Sequence, residues 1–97
     1  MKLEILPLAQ RDVDEAAAYY ARHREGLDEE FLAELEVGAS AIASDPLRFE
    51  QVRPGIRRFI LKRFPYSIYY RMPDAETVQI TIVKHHRRRP GYGMHRK

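Results

Sequence analysis

At 97 residues and without a cysteine, the chain can hold one ordinary hydrophobic core, which excludes a second domain, a disulfide scaffold and a thiolate metal site. Its net charge of +3 conceals a division: residues 1–52 carry 5 Lys or Arg against 12 Asp or Glu, and residues 53–97 carry 12 against 2. Halves of −7 and +10 suit a polyanion or an acidic protein partner, with a merely solvated surface as the bland alternative.

Lys2 to Leu8 alternates, with Leu3, Ile5 and Leu8 toward one side, and predicts a short strand that Pro7 ends or confines to a sheet edge. From Ala9 to Glu25 the apolar positions Val13, Ala16, Ala17 and Tyr20 recur at helical spacing. Asp12, Asp14 and Glu15 come early and Arg22, His23 and Arg24 late, an order that complements a helix dipole. Gly26 fits a helix stop. Beyond it Leu27, Phe31, Leu35, Gly38 and Ile42 form a second stripe that closes at Asp45-Pro46. Two helices and a tight turn predict an antiparallel hairpin.

The period then changes to two. In Ile56 to Lys62, Phe59 and Leu61 share one face and Arg58, Ile60 and Lys62 the other; Tyr66, Ile68 and Tyr70 alternate in the next segment. These three read as core, while Tyr69 and Arg71 point the other way, as an exposed aromatic beside a cation. Phe64-Pro65 and Met72-Pro73-Asp74 supply turns, and Thr77 to Val83, with Val78, Ile80 and Ile82 on one side, predicts a further strand. Residues 84–97 are too polar and too rich in Gly and Pro for core structure and read as a basic tail beside the last strand. The expected fold is a single α+β domain over residues 1–97, ordered β-α-α-β-β-β. Its α-hairpin packs on one face of a small, mainly antiparallel sheet, the other face is partly open, and the first strand lies beside the last. No export signal, spanning segment or repeat is read, and a cytoplasmic location is expected.

The segments FPYSIYYR and VKHHRRRPGY, on consecutive strands after two helices, resemble toxins of the RelE/ParE superfamily from bacterial type II toxin–antitoxin modules. The resemblance covers nearly the whole chain. It implies a growth-arresting toxin held inactive by a small antitoxin with an acidic binding segment, and it implies no cofactor and no metal. One branch of that superfamily cleaves messenger RNA, usually on the ribosome, and another poisons DNA gyrase. The overall pattern sits closer to the ParE-like, gyrase-directed branch, with a metal-independent ribonuclease as the alternative and a non-toxic nucleic-acid-binding module as a third reading.

Metal-free RNA cleavage needs a proton acceptor, cations for the phosphate and a proton donor. His85 or His86 suits the first or last role, Arg58 and Arg88 suit the second, and Tyr92 suits stacking or proton donation. Each has a structural alternative: His85 closes the last strand, His86, Arg87 and Arg89 are solvated, and Tyr92 anchors the tail. Arg57, Lys62, Arg63, Tyr69, Arg71, Arg87 and Arg89 are candidates for contact with nucleic acid or a protein partner. Ile60 and Ser67 stand where the ribosome-dependent nucleases carry cations, His86 where they carry an arginine, and Gly93 where many ParE-like relatives carry a tryptophan.

Overall fold

The computed structural model describes residues 1–96; Lys97, the end of the predicted tail, lies outside them. Strand β1 (Lys2–Ile5) leads into helix α1 (Pro7–His23), and a short turn joins this to helix α2 (Leu27–Ser44). Four strands follow: β2 (Glu50–Arg53), β3 (Ile56–Ile60), β4 (Tyr66–Asp74) and β5 (Thr77–His85). They form one sheet in the order β1-β5-β4-β3-β2, antiparallel from β2 to β5, with β1 parallel to β5. The α+β class, the hairpin on one face and the pairing of first and last strands match the expectation.

Helix α1 starts ahead of its apolar stripe because Pro7 occupies the opening turn, where a missing N–H leaves nothing unpaired and the fixed φ is already helical. Asp12, Asp14 and Glu15 therefore lie beyond the first turn and do not compensate the dipole there, whereas Arg22 and His23 do occupy the last turn. Ala9, Val13, Ala16 and Tyr20 of α1 and Phe31, Leu35 and Ile42 of α2 meet Ile68, Tyr70, Val78, Ile80 and Val83 of the sheet. Tyr20, Phe31, Phe64 and Tyr66 add an aromatic cluster with centroids 4.9 to 6.1 Å apart. Each fully buried large apolar side chain stabilises by about 1.5–3 kcal/mol. Helix α2 approaches the sheet at Gly38, where a Cβ would stand 3.0 Å from Ile68 Cδ1 and 3.0 Å from Phe59 Cε1.

The sheet departs from the simple alternation in two places. Glu50 to Arg53 contains Val52 as its one apolar residue and was not expected as a strand, yet it pairs with β3 at the edge; its stability comes from that pairing rather than from side-chain burial. In β5 the register steps from Tyr69↔Ile82 to Tyr70↔Ile80, leaving Thr81 as a bulged residue. Val78 and Ile80 consequently share the helix-facing core with Val83. Ile82, expected beside Val78 and Ile80, turns to the far face with Tyr69 and Lys84. That face is not open. Residues 86–96 fold back along it as a strap, and Tyr69, Ile82 and Lys84 are 5%, 0% and 6% exposed.

Candidate functional site

Strand β1 pairs with Thr77 to Ile80 only, so the outer edge of β5 beyond Ile80 lacks a neighbouring strand. A buried ion pair takes its place. Asp12 accepts the Val83 N–H at 3.0 Å, Arg96 donates to the Thr81 carbonyl at 3.0 Å, and the two side chains meet at 2.7 Å while 4% and 9% exposed. Tyr92 donates its hydroxyl to the other Asp12 oxygen at 2.7 Å. Burial, and then the bond to Asp12, hold the Tyr92 phenol above its ordinary pKa, so it remains a donor. Arg71 fastens the end of the strap by donating to the Arg96 carbonyl at 3.1 Å and to Gln79 at 2.7 Å. The strap requires glycine at position 93: φ is +71°, and a Cβ would stand 2.9 Å from Ile82 Cγ1.

Strap and sheet together wall a basic cavity of about 340 Å³ on the far face, lined by Arg53, Arg58, Lys84, His86 and Arg88 with Tyr69 among them. Arg58 is paired with the exposed Glu50 carboxylate, the main cause of its raised pKa. His86 Nε2 lies 3.0 Å from the Ser67 hydroxyl. Lys84 Nζ reaches the Arg89 and Pro90 carbonyls at 3.5 and 3.4 Å and stands 5.1 Å from the Tyr69 ring centroid.

A second cavity, of about 160 Å³, lies on the α1 side and is lined by Asp12, Glu15, Tyr19, Tyr66, His85 and Tyr92, with Arg88 also at its wall. His85 Nδ1 accepts the Arg87 N–H at 3.0 Å, which assigns the proton of the neutral ring to Nε2. Burial first, then the neighbouring guanidinium of Arg87 and the nearby His86 and Arg88, lower its pKa below the ordinary 6.5.

The five residues suited to the roles of RNA cleavage are thus divided. Arg58 and His86 open onto the far-face cavity, His85 and Tyr92 onto the α1-side cavity, and Arg88 borders both, its guanidinium 4.7 Å from the Tyr92 ring centroid. Of the other candidates, Arg57 donates to the Leu47 and Phe49 carbonyls and holds the loop before β2. Arg71 is occupied with Gln79 and Arg96. Tyr69, expected to be exposed, is buried because the strap covers it. Lys62, Arg63, Arg87 and Arg89 are exposed. Glu34 accepts the Lys62 and Arg63 N–H groups at 3.1 and 3.0 Å, and Glu30 pairs with the Arg63 guanidinium at 2.6 Å. Sequence reasoning overlooked Asp12, Lys84 and Arg96. Asp12 did leave a signal, as an acid within the apolar stripe of Ala9, Val13 and Ala16. Among the described residues no group of three His, Asp or Glu could hold a metal ion, and no helix is long and apolar enough to cross a membrane.

The family described as the ParE toxin of the type II toxin–antitoxin system, parDE, matches residues 3–90. Among solved structures, a chain of the chromosomal ParDE TA system from P. aeruginosa is similar in fold, with a TM-score of 0.74 and 19% identity over 88% of this chain and 95% of that one. No match is found among curated proteins. The family match runs from Leu3 within β1 through the α-hairpin and strands β2 to β5 and stops within the strap, so the chain belongs to the ParE toxin family of type II toxin–antitoxin systems.

Proposed function

We propose that this toxin arrests growth by binding and inhibiting DNA gyrase in the cytoplasm when its antitoxin is absent. The division of the expected catalytic residues between two cavities carries this reading. A docking surface needs no shared base and acid, whereas metal-free RNA cleavage needs both around one phosphate. The Tyr92 hydroxyl already donates its hydrogen bond to Asp12 on the α1 side, which removes the expected acid from the far-face cavity. In this reading the exposed cations Arg87 and Arg89 of the strap, with Lys62 and Arg63 at the same end of the sheet, form the contact surface; the His86 N–H donating to the Pro65 carbonyl at 2.9 Å keeps those segments together. The antitoxin contributes an acidic segment that shields these cations. It also covers an apolar groove of about 310 Å³ bordered by Leu3, Ile5 and Leu32, three side chains that are exposed in the free chain.

Ribonuclease action is the second reading, favoured by one observation: His86, Arg58 and Lys84 share the far-face cavity. Purified toxin is incubated with gyrase and relaxed plasmid and, in parallel, with ribosome-bound message. The gyrase reading predicts blocked supercoiling or trapped DNA breaks with the message intact. Cleaved message with unimpaired gyrase, abolished by His86→Ala, would overturn it in favour of the nuclease.

A further inference from the structure

We propose that the far-face cavity is a phosphate-binding site with Lys84 as its central donor. This goes beyond the gyrase reading and holds whichever macromolecule the toxin arrests. Two cationic side chains lie buried where the strap meets the sheet, and the fold treats them differently. Arg96 has the Asp12 carboxylate at 2.7 Å. Lys84, 6% exposed, forms no salt bridge among the described residues; its neighbours are two carbonyls at the outer limit of hydrogen bonding and the face of the Tyr69 ring, none of which carries a negative charge. A buried ammonium without a counter-ion is strongly unfavourable, and an anion entering the cavity removes that penalty.

The surroundings point the same way. Arg58 Nε is buried without a hydrogen-bond partner among the described residues. Arg53, Arg58 and Arg88 line the same cavity, and of these Arg58 is paired with the exposed Glu50 carboxylate. A carboxylate brings two oxygens and one charge and leaves part of that donor set unmatched. A phosphate monoester brings three acceptor oxygens and up to two charges, the combination that guanidinium and ammonium groups recognise together. The cavity, about 340 Å³, has room for a phosphate with its attached sugar. Glu50 then acts as an internal competitor, occupying Arg58 until phosphate displaces it.

Calorimetric titration of the full chain at fixed ionic strength tests the site with four probes: inorganic phosphate, a 5′-mononucleotide, a short single-stranded DNA with a 5′-hydroxyl, and a polyglutamate peptide. Inorganic phosphate and the mononucleotide are expected to bind one per chain and more tightly than the DNA, whose diester phosphates offer one charge and two free oxygens as a carboxylate does; tighter binding of the DNA would count against the site. Lys84→Met is expected to weaken phosphate binding by about tenfold or more without lowering Tm, since it deletes an unpaired buried charge. Glu50→Gln, a change at an exposed side chain, is expected to tighten binding several-fold, and Arg24→Gln at the remote helix turn to leave it unchanged. Undiminished phosphate binding in Lys84→Met, no gain in Glu50→Gln, or binding of polyglutamate alone would overturn the proposal.

Discussion

Asp12 shows how much one carboxylate can organise. It accepts from a strand amide, a tyrosine hydroxyl and a guanidinium, and so joins α1, β5 and the strap. Asp12→Ala would strand the buried Arg96 charge, and removing one partner of a buried pair costs about 3–5 kcal/mol. Urea denaturation is expected to show a loss of that size. In the Asp12→Ala/Arg96→Met double variant part of the loss should return, because no charge is left unpaired. His85 gives a second prediction. Its pKa is lowered on folding, so the unfolded chain binds more protons and stability falls as pH drops below about 6.5. The urea midpoint should decline as pH falls through about 6.5, and His85→Gln should flatten this decline. Glu30 and Asp74, whose pKa values are lowered by their hydrogen bonds, lose their contributions only below their ordinary 4.5 and 3.8. At this scale the sequence displayed Asp12 as an acid in an apolar stripe, but its partners lie 71 to 84 positions away, and no local pattern encodes them.

The elements were legible wherever side-chain burial creates periodicity. Both helices, β3, β4 and β5 follow from their apolar stripes, and β1 from a short alternation. β2 was not legible, since one valine among polar residues carries no pattern and the strand exists through pairing with β3. The Thr81 bulge was invisible for a related reason: Val78, Ile80, Ile82 and Val83 are all apolar, so either register buries apolar groups. The strap reads as a tail because Gly, Pro and Arg dominate it, yet Tyr92, Gly93 and Arg96 lock it down. Gly93→Ala combines an unfavourable φ with a clash against Ile82, and strained backbone of this kind costs about 1–3 kcal/mol. Hydrogen exchange should show the Val83 and Arg96 amides losing protection in that variant while the α2 amides keep theirs; uniform loss across the chain would mean that the strap and core unfold as one unit.

Across the whole molecule, the charge division of the sequence sets the helices and sheet edges against the sheet centre and the strap. The −7 half forms β1, the helical hairpin and edge strand β2 up to Val52, and the +10 half forms the end of β2 at Arg53, β3 to β5 and the strap. Opposed fields of this kind steer an acidic partner toward the strap side. The antitoxin's association rate is expected to fall by about tenfold or more as ionic strength rises from low to physiological values, with a smaller change in dissociation; stopped-flow mixing measures both. The five polar residues that looked like one catalytic set in the sequence all belong to the +10 half, yet they sit on two sides of the sheet. Sequence spacing identifies the motif, but the alternation of the chain at His85 and His86 separates its members. A toxin that works by docking should not need either imidazole. The most direct measurement is therefore growth of cells expressing the His85→Ala/His86→Ala variant, with its fold verified by circular dichroism. The docking account predicts arrest close to that of the unmodified toxin, relieved by the antitoxin; normal growth with a correctly folded variant would contradict it.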